Sequence, residues 1–234
     1  AFTGEEGLKD AYIMRDTVAE QLDLDPEEEM VASTGVIGEK LPMFHILEGI
    51  DQITKQIEHS DGHAFAEAIL TTDTVTKSLA VEVMIEGKKV TIGGTAKGSG
   101  MIHPNMATMF AFITTDANIE EAALQKLLRQ TTDETFNMIT VDGDTSTNDM
   151  VIVMANGLAE NNPLDEIHPE WAVFYQGFHY VASELAKMIA KDGEGATKLV
   201  TVTVEGAEST EMAKTIAKKI VGSNLVKTAV FGAD

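Results

Sequence analysis

The sequence predicts an α/β fold, and three observations predict it. The runs LAVEVMI and KVTIGGT flank Glu86-Gly87 as the arms of a hairpin would. Compact apolar runs at 109–113 and 151–155 suit buried strands, and segments of helical spacing recur around them. Hairpin and crossover connections are therefore both implied within one mixed core.

Thr3 and Glu6 have the spacing of a capping box, and Leu8, Ala11, Tyr12, Ala19 and Leu22 follow at helical intervals until Pro26. After the acidic cluster at 27–29, MVASTGVIG reads as a short strand entering a glycine-punctuated turn. Ile46, Ile50, Ile53 and Ile57 mark one face of a second helix begun near Pro42. The short apolar piece HAFAEAIL leads through TTDT into the hairpin. Leu124, Leu127 and Leu128 predict a helix capped by Asn118 or Asp116. The pattern over 160–180 fits no single element, and 181–189 reads as helix. LVTVTVEG alternates like a strand, Met212, Ile216 and Ile220 mark a last helix, and LVKTAVF reads as a last strand. No internal repeat or low-complexity linker interrupts this order.

Composition narrows the function classes. The 234 residues suffice for one substantial core or two small ones, and a formal charge of −21 repels polyanions, which argues against nucleic acid as a partner. Cysteine is absent, so neither disulfides nor thiolate metal sites are available, as suits a reducing cytosol. No apolar run approaches the ~18 residues of a membrane span, so no membrane partner is expected. The chain starts at Ala1 rather than Met and stops at Asp234 directly after an apolar run, so neither end has the look of a natural boundary.

The most unusual stretch is 97–116, KGSGMIHPNMATMFAFITTD. Gly98 and Gly100 open φ > 0 to the backbone, Pro104 fixes φ, and the apolar run follows, so a bend delivers the hydroxyl of Thr108 to the start of a strand. A threonine becomes a nucleophile when a base takes its proton, and one source of that base is its own α-amine, freed by cutting the preceding peptide bond. Such an amine titrates near ~7.7–8.0. Taken alone, Thr108 reads as an ordinary strand-opening threonine rather than a nucleophile.

This segment resembles the ornithine acetyltransferases (glutamate N-acetyltransferases), which cut themselves before a threonine in KGxGMIHPNMATM. The likeness continues through STGVIGEKLP at 33–42, ILTTDT at 69–74, ITVDGDTSTND at 139–149 and DGEGATKLVTVTVEGA at 192–207. It implies two stacked sheets flanked by helices, an αββα-like sandwich of the self-cleaving N-terminal-nucleophile type, with the nucleophile on a central strand. Cleavage between Ala107 and Thr108 would divide the catalytic domain into an alpha fragment, 1–107, and a beta fragment, 108–234. Family members extend past both ends, so the family's C-terminal domain is expected to be absent from this chain. The fragments would reassociate as α2β2.

The resemblance also assigns roles. Thr108 is the nucleophile; Thr34 and Gly35 supply the oxyanion hole; Thr74, Lys97 and Glu194 hold substrate, Glu194 also handling protons. On sequence alone each has an ordinary counterpart: a strand exit for Ser33-Thr34-Gly35, a turn hydroxyl for Thr74, a solvated charge for Lys97 and an acidic Gly-rich turn for Glu194. The implied reaction moves acetyl from N-acetylornithine to glutamate through an acetyl-threonine, with acetyl-CoA as a further donor in some members and no bound cofactor. Phe2 and Phe110 stand where members often carry smaller or aliphatic residues, and Phe110 is close enough to the nucleophile to alter pocket packing.

Other templates fail. Asp142, Asp144, Ser146 and Asp149 are hard oxygen ligands, but the glycine an EF-hand needs falls at Thr147 and its final glutamate at Val153, so DGDTSTND reads as a polar loop bracing the site. No HExxH spacing supports zinc. A dinucleotide fingerprint would need glycine at His103, a P-loop glycine where Ala96 stands, and a nucleophile elbow glycine where Lys97 stands. His103 is an alternative base, or a loop histidine with one backbone contact. Two rivals to the transferase stay open at this level: an amide hydrolase or aminopeptidase with an N-terminal threonine nucleophile, and a non-catalytic binding subunit.

Overall fold

The computed structural model of the chain describes residues 2–57, 61–103 and 109–233. It divides into two compact units, Ala1–Phe65 and Ala66–Asp234.

The first unit is helical. Helix α1 (Gly4–Leu22) buries Met14 and Ala19, and packs on α2 (Met43–Thr54), which follows Pro42 as its sequence predicts. Thr3 is the N-cap of α1 but makes no side-chain cap bond, so the capping box does not form. Glu6 instead takes the Lys40 ammonium at 2.7 Å. Asp23 ends the helix in the left-handed region, and Asp25 accepts from Glu27 N–H at 3.0 Å to start a single 3-10 turn, Pro26–Glu28. The strand expected over 30–38 is absent: the segment is irregular, ending in a turn in which Glu39 N–H reaches Val36 carbonyl at 3.2 Å. Alternation alone supplies no ladder partner. Helix α3 (Gly62–Ala68) leads out of this unit.

The second unit is built on a four-stranded sheet of order β1-β2-β3-β4: β1 (Lys77–Ile85), β2 (Lys88–Lys97), β3 (Phe110–Thr115) and β4 (Met150–Ala155). The first three run antiparallel, and β4 joins β3 in parallel. Glu86 and Gly87 both adopt positive φ, 53° and 73°, the pair of conformations a two-residue type I′ hairpin requires. The crossover to β4 carries α4 (Glu121–Glu134), which buries Ala123, Leu127 and Thr131. Its N-cap is Glu120, not Asn118 or Asp116. Those two residues are engaged elsewhere, Asp116 accepting from Thr91 N–H at 2.7 Å and Asn118 exchanging hydrogen bonds with Asn161.

The segment of mixed pattern resolves as the start of α5 (Trp171–Lys191), which lies across β1 and β2. Phe174, Phe178, Val181, Leu185 and Ile189 form its buried stripe against Ile85, Val90, Ile92, Ala96, Ala111 and Ile113 of the sheet. Gly94 permits this approach, because a Cβ there would stand 2.9 Å from Leu185 Cδ1 and 3.3 Å from the Phe112 carbonyl. Gly94→Val is accordingly expected to cost about 1–3 kcal/mol by overpacking, measured by denaturant unfolding of the full chain.

Two expectations at the C-terminal side are overturned. LVTVTVEG alternates partly buried and exposed residues over 201–205 but pairs with no described strand. LVKTAVF forms helix α7 (Asn224–Gly232), not a strand, with Ser223 accepting from Val226 N–H as N-cap, directly after α6 (Thr210–Val221). A local cap outweighs the β preference of two valines where no sheet edge is offered. Among the described residues, no helix is long and apolar enough to cross a membrane.

Candidate active site

Three loops meet where β2 ends. Gly98 takes φ 151°, a conformation open to glycine, and its N–H donates to Asp73 Oδ1 at 2.7 Å. The same oxygen accepts the Lys77 ammonium at 2.6 Å, and Lys77 also reaches Asp192 Oδ2 at 2.6 Å. The side chains of Lys77 and Asp73 are wholly enclosed, and that of Asp192 is 8% exposed. Burial works to raise the proton affinity of Asp73. The Gly98 N–H, the Lys77 ammonium and the Thr71 N–H outweigh it and hold the carboxyl below its ordinary range. Asp192 is also held low: burial is opposed there by Lys77 and by both donors of Thr74, whose hydroxyl reaches Oδ1 and whose N–H reaches Oδ2 at 3.0 Å.

The web extends to the third loop. Ser99 Oγ donates to the Asp192 carbonyl at 2.6 Å, and Glu194 N–H donates to the Ser99 carbonyl at 2.9 Å. Gly100 leaves room for the Glu194 carboxylate, which any side chain at position 100 would strike. TTDT, KGSG and DGEG are thus tied together by a buried ion triad and five backbone groups, the N–H of Gly98, Thr74 and Glu194 and the carbonyls of Asp192 and Ser99.

Lys97, the last residue of β2, pairs in register with Phe110, the first of β3. Its side chain is wholly buried, and its ammonium lies 5.0 Å from the Phe110 ring centroid. Among the described residues the Nζ has no hydrogen-bond partner. Burial pulls its proton affinity down, against the fields of Asp73 and Asp149. An enclosed ammonium with three unspent donors is a receptor for a carboxylate or carbonyl oxygen.

Asp149 stands on the approach to β4. Its Oδ1 accepts the Met109 N–H at 2.6 Å, while its Oδ2 is buried without a partner among the described residues. Burial pushes this carboxyl up to about 7, although the Met109 N–H and Lys97 favour the ionised form. Asp142, from the same loop, takes Met101 N–H at 2.6 Å and Ile102 N–H at 3.0 Å. The DGDTSTND stretch therefore braces both flanks of 103–108. Lys218 and Lys227 secure the segment leading into that loop from α6 and α7, donating to the carbonyls of Ile139 at 3.0 Å and Val141 at 2.7 Å. His103 Nδ1 faces the Thr140 hydroxyl at 2.9 Å, rather than a backbone group, and burial and both lysines lower its proton affinity.

Of the predicted site residues, Thr74, Lys97 and Glu194 lie on the loops brought together here. Thr34, half-buried, and Gly35, exposed, lie in the irregular segment of the first unit. Ala107 and Thr108 fall outside the described residues. Sequence reasoning passed over Asp73, Lys77, Ser99 and Asp192. An Asp and Lys four apart ahead of a strand was the available signal, and their burial was not legible. Among the described residues no group of three or more His, Asp and Glu side chains could hold a metal ion. A cavity of about 580 Å³ lies beneath α5, α6 and α7. Of these residues only Glu194 lines it, and its walls are largely apolar, including Leu199, Val202, Val230 and Phe231.

The family model for the ArgJ family matches residues 1–234, the full chain. The arginine biosynthesis bifunctional protein ArgJ of Oceanobacillus iheyensis is 59% identical over 236 residues, covering 100% of this chain and 57% of the relative. The protein of the same name from Bacillus subtilis is 62% identical over 234 residues, with the same coverage. The crystal structure of ArgJ from Bacillus halodurans superposes with a TM-score of 0.52 at 61% identity, over 53% of this chain and 58% of that one. The chain spans 57% of the length of the curated relatives it matches. With the family model matched from first residue to last, and relatives near three-fifths identity throughout, this chain belongs to the ArgJ family.

Proposed function

We propose that the protein moves an acetyl group from N-acetylornithine to glutamate by way of an acetyl-threonine. The observation that carries this reading is the register Lys97↔Phe110, which sets a buried ammonium, without a hydrogen-bond partner among the described residues, beside the head of the strand that Thr108 precedes. Relatives named for arginine biosynthesis, near 60% identical across all of the chain, support it.

The sequence of events starts with self-cleavage. Thr108 Oγ attacks the Ala107 carbonyl, the acyl group shifts from nitrogen to oxygen, and water hydrolyses the ester, leaving Thr108 with a free α-amine. In turnover that amine takes the hydroxyl proton as the oxygen attacks the acetyl carbonyl. The tetrahedral intermediate collapses, and ornithine leaves with the proton on its amine. The glutamate amine then attacks the acetyl ester, N-acetylglutamate departs and the threonine hydroxyl is restored. In this scheme Thr34 and Gly35 donate to the oxyanion, Lys97 binds a substrate carboxylate, and Thr74 and Glu194 contact the amino acid, Glu194 by a charge-assisted hydrogen bond to its amino group.

The reading extends to architecture. The segment at 199–205, which pairs with no described strand, and the apolar cavity that its first residues line would contribute to a second sheet stacked on the first, with Thr108 on a central strand. The cleaved alpha and beta fragments would assemble as α2β2 in the cytoplasm, without a bound cofactor, and acetyl-CoA would serve as a second donor only if the protein is bifunctional.

The test is acetyl transfer by the full chain with and without glutamate. Release of ornithine should depend on glutamate, and initial rates should give the parallel double-reciprocal lines of a ping-pong reaction. Release at the same rate into water alone would identify an amide hydrolase, and intersecting lines would remove the covalent intermediate.

A further inference from the structure

We propose that Asp149 is a positioning residue of the acyl-transfer site, holding the backbone at Met109 with one carboxylate oxygen and governing the charge of Lys97 with the other. The inference rests on the acetyltransfer reading and adds to it a residue on the loop that precedes β4.

The geometry assigns the two oxygens different work. Oδ1 is committed to the Met109 N–H at 2.6 Å, a contact spanning 40 residues of sequence. Met109 is the residue directly after Thr108 in the chain, so the contact fixes the backbone at the first described position beyond the nucleophile. Oδ2 is enclosed and has no donor among the described residues, and the enclosed Lys97 ammonium, which feels its field, has no acceptor among them. Two buried groups of opposite charge that lack hydrogen-bond partners among the described residues are costly to keep unless something polar meets them. A substrate carboxylate meeting Lys97, or the amine of an N-terminal threonine meeting Asp149, would meet that need.

The surrounding charges define the electrostatics. Lys97 feels the fields of both Asp73 and Asp149, and Asp73 is already paired with Lys77, which is shared with Asp192. Asp149 is thus the counter-charge of Lys97 not already engaged by another ammonium. Ionised, it keeps Lys97 protonated and ready for an anionic substrate; protonated, it releases that hold. Activity should therefore show an acid limb from Asp149, whose carboxyl sits at about 7, and a basic limb from Lys97.

Asp149→Asn in the full chain separates these roles, because the amide oxygen still accepts from Met109 while the charge is gone. The variant is expected to lower kcat/KM for N-acetylornithine roughly tenfold or more, to lose the acid limb and to move the basic limb to lower pH. Asp149→Ala, lacking both functions, should be worse, so that Asn rescues part of the defect. The wild-type carboxyl also titrates above its unfolded value, so its stabilising contribution is lost as pH rises through about 7. Asp149→Asn should therefore melt no lower than wild type at pH 8. Wild-type kcat/KM with both limbs in place overturns the proposal, as does a loss that follows a lowered melting temperature with the limbs unmoved. If the wild-type protein transfers no acetyl group, the functional reading fails instead. The pair is then tested by carboxyl-carbon NMR titration of Asp149 in wild type and Lys97→Met. Loss of the lysine should raise the Asp149 midpoint, and an unchanged midpoint overturns the inference.

Discussion

Thr108→Ala is expected to give a single uncut mass for the full chain and to lower acetyl transfer by roughly 10⁴- to 10⁶-fold, the size of loss seen when a covalent catalyst is deprived of its nucleophile. The alanine has no oxygen to attack the Ala107 carbonyl, so the peptide bond persists and no α-amine is released. Both the nucleophile and its base are lost in one substitution, which is why the effect exceeds that of removing an oxyanion donor, at ~2.7–4 kcal/mol. Intact mass under denaturing conditions reads the cleavage. Wild type should give two fragments meeting at Ala107 and Thr108. A wild-type full chain that stays whole yet transfers acetyl would remove the amine-activated threonine from the mechanism.

The second large effect is on stability. Lys77→Met is expected to destabilise the protein by about 3–5 kcal/mol, because it leaves Asp73 and Asp192 enclosed without their shared ammonium. The loss should spread beyond the ion triad: Asp73 anchors Gly98 N–H and Asp192 anchors Thr74, so both loops lose their common post. Denaturant unfolding at pH 7 gives the magnitude. The pH dependence gives the cause. Asp73 and Asp192 are held below their unfolded proton affinity, so they contribute stability that is present above pH ~3.9 and lost as pH falls through their folded values. Wild type should therefore lose stability at acid pH more steeply than Lys77→Met, in which the carboxyls have less to lose. Parallel pH profiles for the two proteins would show that the triad does not supply this stability.

How the site was legible depended on the range of each interaction. The Gly98 and Gly100 bend, the run into β3 and the TTDT, DGDTSTND and DGEG loops could all be singled out from local chemistry. Their meeting could not, since Thr74 and Asp192 are 118 residues apart and Met109 and Asp149 are 40 apart. Lys97 illustrates the point. A lysine at a strand end is ordinarily solvated, and only the packing of Phe110 beneath it and α5 against its sheet makes it a buried cation. Lys77 was passed over for the same reason.

By itself the sequence determined the mixed α/β class, the hairpin at Glu86-Gly87 and the family to which the chain belongs, whereas the helix faces it marked with Leu8, Tyr12, Ile53, Met212 and Ile216 stand exposed. The first three are recorded in turn chemistry, in periodicity and in long matched segments, all of which are local. Tertiary structure decided which alternating runs became strands, since a strand exists only where another offers its N–H and C=O groups. Thus 150–155 paired with β3, 199–205 formed no described strand, and 225–231 wound into a helix behind Ser223. It also decided which charges were enclosed, because desolvation is a property of everything packed around a group and not of the residues beside it in the chain.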